Sequence, residues 1–554
     1  MLDPRYMAYR SLMTAAAKLS LLLLISITYC VTGPILRAAT YYIDFATGSD
    51  SNTGTSPTAA WKRAPGDAKA TGVPAATALK PGDRVLFKGG TTYVGSIALK
   101  YSGASGSPIT YDGSAWNGSK STITTQNAAN TSGFTDEGRS VSHLMIAGFD
   151  IKDIGGYAEN DAIWSTTDPV SNPPGGSGIS LHGGGSDITI SNCNFAEIGQ
   201  WQNIIPMSGT TSVSGTGVSL QDNIRVTVAN CDFTRMKTGV SIKALDVISD
   251  ISVRDSSFHN YMNWLIDIAP RKAGATLRNV LIDGCQFYDY KEFDQPNWKG
   301  YDEKPHQDGI FLRTAGMAST WDNIVIRNSR FYSDQTSAGG TASIYLSQGS
   351  SADIYNCIFA DDNHSNAYIN VGYPKASGML QRIRIWNNTF VGSTRAIKVT
   401  PGNSNADVVE IRNNAFYRTN TYDIISLNPK DIGTLVMDNN VYYNGNAARG
   451  FHDGSGYRSL SEWQTQTSKD RNSRWDNPSF ESLSGNASVW KLKPASTSPL
   501  NGTGVDLSSF FATAIDGSAR STPWDIGAYS RASSSDLKLL PPNAPQDLRV
   551  SSAE

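Results

Sequence analysis

An eight-residue pattern recurs along the middle of the chain. In register it reads ITISNCNF at 188–195, VTVANCDF at 226–233, ISVRDSSF at 251–258, VLIDGCQF at 280–287 and IVIRNSRF at 324–331. It continues as ADIYNCIF at 352–359, IRIWNNTF at 383–390, VEIRNNAF at 409–416 and LVMDNNVY at 435–442, with a looser copy, LMIAGFDI, at 144–151. Apolar residues hold the first and third positions of most copies, the two-residue period of a strand with one buried face. The fifth position is a turn former: Asn192, Asn230, Asp255, Gly284, Asn328, Asn356, Asn387, Asn413 and Asn439. An aromatic closes nearly every copy, at intervals mostly of 25–31 residues, stretched to 38 and 44 where extra sequence enters.

A shorter strand precedes each copy: ISL at 179–181, VSL at 218–220, VSI at 240–242, IDI at 266–268 and IFL at 310–312. The series runs on as IYL at 344–346, INV at 369–371, IKV at 397–399 and ISL at 425–427. One coil is therefore a short strand, a turn, a second strand with its Asn corner, and a return. No such coil buries its apolar face alone, and stacking buries all of them, so the pattern predicts an all-β solenoid, a parallel β-helix. The fifth-position Asn residues are expected to form an internal amide ladder and the closing aromatics a stack. Cys193, Cys231, Cys285 and Cys357 share the sixth position, which predicts core packing as small apolar residues. Cys193 and Cys231 are candidate neighbours for one disulfide; without CxxC pairs, zinc is a poor match.

Composition narrows the function. In 554 residues, Lys plus Arg number 47 and Asp plus Glu 49, for a net charge of −2. That lacks the cationic excess of a nucleic-acid binder. With 39% hydrophobic residues and a mean hydropathy of −0.31, the chain is no multi-span membrane protein. It is also too rich in apolar and aromatic residues for disorder. At its start, residues 19–36 are uncharged, follow Lys18, contain the run Leu21–Ile25, and lead to Ala38, Ala39 and Thr40. This reads as an export signal cleaved near Ala39, with an uncleaved anchor as the competing reading. Cys30 lacks the small preceding residue of a lipidated cysteine.

The repeats resemble the right-handed parallel β-helix superfamily that includes pectate-lyase-like proteins. The block YYIDFATGSDSNTGTSPTAAWK at 41–62, with KPGDRVLFKGG at 80–90 and SGSPITYD at 105–112, is similar to the opening rungs of exported members. WDNPSF at 475–480, WKLKPASTSPL at 490–500 and DIGAY at 525–529 resemble its carboxy-terminal closure. The resemblance spans roughly 41–531 and implies about ten or more coils with terminal caps. It divides the chain into a signal peptide (1–39), a cap with the first coils (40–143), the repeats (144–445), a closing region (446–531) and a linker (532–554). This scaffold carries lyases, hydrolases, epimerases and binding proteins, so the reaction has to come from side chains.

Alternate residues of the short strands face outward and concentrate chemistry on one side. Lys243, Asp267, Arg313, Tyr345, Asn370 and Lys398 lie on that face, with Arg271 just beyond it. Insertions at 155–177, 199–217 and 288–307 rise along one edge and carry Trp164, Trp201, Trp298 and Tyr301, flat faces suited to sugar rings. The segment KPHQDGIFLR at 304–313 adds His306 and Asp308. Adjacent rungs are about 4.8 Å apart, so Asp267 and Asp308 are expected to approach as a carboxylate pair, with His306 relaying a proton. The same two carboxylates are the candidate ligands for Ca²⁺. The expected partner is an extended polysaccharide bound by a secreted monomer.

Two reactions fit. A lyase would use a cationic base to take the proton beside a uronate carboxylate, and the excess of cations on this face favours it. A hydrolase would use Asp267 and Asp308. Neither the carboxylate blocks of polygalacturonases nor the Lys–Arg arrangement of alginate or chondroitin lyases is present. Carbohydrate binding without catalysis is the third reading.

Overall fold

In the computed structural model, the structure describes residues 38–155, 175–199, 215–260, 264–289, 308–314, 316–333, 341–360, 366–392, 395–400, 406–418 and 423–531. By contact the chain forms two units, Met1–Ala39 and Thr40–Glu554. The second unit carries the solenoid. Among the described residues no helix is long and apolar enough to cross a membrane.

The solenoid is three sheets of thirteen strands each, with parallel neighbours along nearly their whole length. Each coil contributes one strand to every sheet. The coil that opens at Ser177–Leu181 continues through Ser186–Ser191 and closes with Asn194–Ile198. Sequence reasoning expects two strands and a return; the return is itself a strand. The repeated octapeptide therefore crosses two sheets, bending at its fifth residue.

That bend explains the residues found there. Asn192, Asn230, Asn356 and Asn413 have φ of 53–56°, the left-handed region that Asn tolerates better than most side chains. The left-handed corner turns the fifth side chain outward, and Asn192 and Asn230 are exposed. Fifth-position amides still pair where the returning chain covers them, Asn413 donating to Asn387 at 3.1 Å and Asn356 to Asn328 at 3.3 Å, and a second ladder, inside the core, runs one position later. Asn388 donates to Asn414 at 3.1 Å and Asn414 to Asn440 at 3.2 Å, all fully buried. Upstream, the same inward column holds Cys193, Cys231, Ser256, Cys285, Ser329 and Cys357, and its cysteines are free buried thiols.

The aromatic stack forms as expected. Phe195, Phe233, Phe258, Phe287, Phe331, Phe359, Phe390, Phe416 and Tyr442 follow one another at centroid spacings of 4.5–5.1 Å, with planes within 12°. Glycine makes room for it. A Cβ on Gly217 or Gly239 would lie 2.7 Å from the ring of Phe233 or Phe258.

Beyond the last coils, the helix Leu460–Thr467 starts at a capping box of Ser459 and Glu462 and buries Leu460 and Trp463. Trp463 stacks on Phe451 at 5.0 Å and closes the core. The chain then folds back along the outside. Leu492, Ile515 and Tyr529 pack against Tyr332, Ile358 and Val391. Corner amides dock this strap: Asn439 donates to Thr503 O (3.1 Å), Asn413 to Val505 O (2.7 Å), Asn387 to Asp525 O (2.9 Å) and Asn356 to Thr513 O (2.7 Å).

Candidate functional site: a cationic cluster on the second sheet

The sheet of short strands aligns its outward residues into a column. Strand pairing runs Ser180–Ser219–Ser241–Asp267–Phe311–Tyr345–Asn370–Lys398, one residue per rung. Two residues further along, Lys243 lies opposite Ala269 and Arg313 opposite Ser347. Parallel pairing and the two-residue period together bring residues dozens of positions apart in sequence onto one patch.

Asp267 is the centre of that patch and is almost wholly buried, at 3% exposure. Arg313, from the next rung, holds it with a fork: Nε donates to Oδ1 at 2.9 Å and Nη2 to Oδ2 at 3.1 Å. Arg271, just past the end of strand Trp264–Pro270, adds a contact from Nη2 to Oδ2 at 3.4 Å. The Arg313 guanidinium also lies over the indole of Trp264, 4.5 Å from its centroid, and Lys237 Nζ sits 5.6 Å from the same ring. Lys243 Nζ reaches Ser219 Oγ at 3.4 Å, and Ser219 Oγ meets His182 Nε2 at 2.8 Å.

Cations here outnumber carboxylates, and their protonation reflects it. Burial, with Arg313, Lys243 and Arg271 nearby and Asp267 opposing, brings Lys237 down to about 8. Lys243 is lowered by burial and then by Arg271 and Arg313, outweighing Asp267. Burial, then Lys243, lowers His182 and favours its neutral form. For Arg313 burial works against the charge, but the bonds to Asp267 override it and keep the guanidinium protonated. The cluster is a desolvated positive patch with two lysines poised to give up protons.

Several expectations are corrected. Asp308 pairs with Trp264, whereas Asp267 pairs with Phe311. The two carboxylates are thus offset by three residues, about 10 Å along the strand at about 3.3 Å per residue, and form no pair. Asp308 is buried at 1% exposure, accepts from the Ala342 amide at 3.0 Å, and is held well above the usual carboxylate range by burial. A Ca²⁺ held by Asp267 and Asp308 does not fit either, because the pair is separated and arginines occupy both oxygens of Asp267. Among the described residues no group of three His, Cys, Asp or Glu could hold a metal.

Of the other candidates, Lys243, Asp267, Arg271 and Arg313 come together. Tyr345 packs edge-on to Phe311 at 5.3 Å, one rung beyond Asp267's partner. Asn370 is buried at 2% exposure and presents no free surface. Tyr368, two residues before Asn370, is buried and donates to Val391 O. Lys398 bonds Asn366 Oδ1 at 3.2 Å, four rungs from Asp267, about 19 Å at about 4.8 Å per rung. Trp164, Trp201, Trp298, Tyr301 and His306 lie outside the described residues. Lys237 and Trp264 are the residues sequence reasoning misses; both sit at the corner where the insertions join the sheet.

A family model described as right handed beta helix region matches residues 151–292. No curated protein matches the sequence. Among solved structures, pectate lyase Pel9A is similar at 15% identity and a TM-score of 0.46, over 89% of this chain and 98% of that one. A rhamnogalacturonan lyase matches at 14% identity and a TM-score of 0.44, over 73% and 87%. The GH136 lacto-N-biosidase from Eubacterium ramulus matches at 13% identity and a TM-score of 0.43, over 75% of this chain and 66% of that enzyme, just under two thirds of its length. At such identities the chemistry has to be read from the side chains themselves.

Proposed function

We propose that this right-handed parallel β-helix, with the three-sheet arrangement of pectate-lyase-like proteins, is an exported enzyme that cleaves an acidic, uronate-containing polysaccharide by β-elimination. The reading is carried by one observation: Lys237, Lys243, Arg271 and Arg313 converge on the single carboxylate of Asp267 in a chain whose overall charge is nearly balanced. Such a patch is complementary to a polyanion and to the charge that grows during elimination.

The roles follow from the chemistry. Arg271 and Arg313 face the uronate carboxylate and stabilise the enediolate as negative charge moves onto it. Lys237, with its amine near neutrality at about 8, takes the C5 proton. The C5–H electrons form the C4–C5 double bond as the C4–O bond breaks, and the Lys243 ammonium protonates the departing oxygen. Asp267 positions both guanidinium groups. The hydrolase alternative loses its support with the separation of Asp267 from Asp308.

Incubating the protein with a panel of uronate polysaccharides tests this. The expected product absorbs in the ultraviolet through its conjugated unsaturated end. New reducing ends without that absorbance would mean hydrolysis, and retention without any product would mean binding alone.

A further inference from the structure

A second cationic site lies on another face, near the closing end of the solenoid. Two adjoining cavities, of about 340 and 460 Å³, share Asn439, Arg471 and Asn472. They open beside strand Ile432–Asp438, the last of the sheet that carries Ser186–Ser191, and its coil is five rungs past that of Asp267, about 24 Å along the axis. Arg412, Lys469 and Arg471 line the combined depression, and Arg474 stands at its outer lobe.

Among the described residues the only ion pair these cations make is the long one of Arg412 with Glu410, at 3.9 Å. Asp438 already accepts from the amides of Asn439 (3.0 Å) and Asn472 (2.7 Å) and from Asn472 Nδ2 (2.8 Å). Asp470 points into the core, where Trp463, Tyr442 and Ser473 donate to it at 3.1, 3.0 and 2.6 Å. Arg412 Nε is buried without an acceptor; the nearest carboxylate oxygen, on Glu410, is 3.9 Å away. Among the described residues Lys469 and Arg471 have no ion-pair partner. Buried Met437 and partly buried Val505 supply an apolar side to the same space. A buried guanidinium Nε–H, two further cations and an apolar wall suit a carboxylate borne on a ring with C–H faces.

We propose that this depression is a second saccharide site, binding one or two uronate units apart from the patch around Asp267. The need for a carboxylate comes from the cavity itself; the choice of a uronate rests on the proposed lyase function. A chain end held here would keep the enzyme on a long polymer between cleavages.

Calorimetric titration of the full chain with digalacturonate, with glucose and inorganic phosphate as comparators, tests it. Lys469→Ala with Arg471→Ala alters exposed or partly exposed side chains and should weaken one binding event at least tenfold. Lys237→Met, in the Asp267 patch, should leave that event unchanged. Short-oligomer cleavage should persist in the double variant. An unchanged isotherm in the double variant, or phosphate binding as tightly as the uronate, overturns the proposal; so does loss of the event in Lys237→Met. If polymer cleavage fails while the double variant still loses digalacturonate binding, the proposed lyase function falls and this site stands.

Discussion

Arg313 grips Asp267 across adjacent rungs with two near-parallel hydrogen bonds, at 2.9 and 3.1 Å, while its guanidinium rests on Trp264. A planar fork makes both contacts at once; an ammonium does not. Arg313→Lys should therefore cut kcat/KM by at least about tenfold with little loss of Tm. Asp267→Ala should be worse for folding, because it strands Arg313 and Arg271 as partly buried unpaired charges. A loss of about 3 kcal/mol is expected in chemical denaturation.

Lys237 links activity to stability. If its neutral amine is the base and the Lys243 ammonium the acid, kcat/KM should rise with pH through an apparent value of about 8 and fall again at higher pH as Lys243 loses its proton. The folded value of about 8 lies below the ordinary 10.5, so the folded state binds fewer protons between them. Stability from this group therefore increases from pH 8 towards 10.5, and the penalty is fully present below pH 8. Lys237→Met should abolish turnover yet raise Tm at pH 7, with the gain shrinking as the melts are repeated at higher pH. A variant that stays active removes Lys237 from the chemistry.

Asp308 makes the opposite prediction. Its carboxyl is buried and its recorded partner is the Ala342 amide, to which an Asn side-chain oxygen serves equally. Asp308→Asn should keep activity within about twofold and leave the pH profile in place. A collapse of turnover with an intact melting curve would return Asp308 to the reaction.

The corner amides separate into two kinds. Asn387 is fully buried and bonds Asp525 O and Gly527 O, whereas Asn192 is exposed. Both occupy the left-handed region, at φ of 49° and 53°. Asn192→Ala should cost only the backbone term, about 1 kcal/mol, and Asn192→Gly almost nothing. Asn387→Ala should cost about 2 kcal/mol more and expose residues 500–530 to limited proteolysis.

Crowding at the aromatic stack is testable with one methyl group. Gly239→Ala places a carbon 2.7 Å from the Phe258 ring, and that ring is fixed between its neighbours at 4.7 and 5.1 Å. A loss of about 1–3 kcal/mol, seen as a lowered Tm, is expected.

The two-residue alternation suffices to place the first two strands of every coil, because inward Val and Ile leave an unambiguous period. The third strand is less visible: after the closing aromatic it continues with mixed residues such as Ala196, Thr234 and His259, whose partners are stacked copies rather than a solvent-facing pattern. Likewise an Asn in a repeat is equally compatible with an inward or outward side chain until its φ is known. On the site, Asp267 and Arg313 are legible because apolar neighbours fix their register. Asp308 misleads because nearness to a strand was not alignment within it: Ile266–Ile310 pairing leaves it opposite Trp264. Lys237 escapes because it precedes its strand, Thr238–Ala244, and so belongs to neither alternating set.

The returning strap changes the mechanics of the whole rod. In a bare solenoid each coil is tied only to the coils above and below, so fraying propagates from either end. Here a single segment is fastened at Asn356, Asn387, Asn413 and Asn439, which sit on successive coils. Peeling away the last coil requires releasing contacts several coils upstream. Heat or tension applied to the solenoid should therefore loosen the unstrapped amino-terminal coils first, leaving the closing end as the anchor.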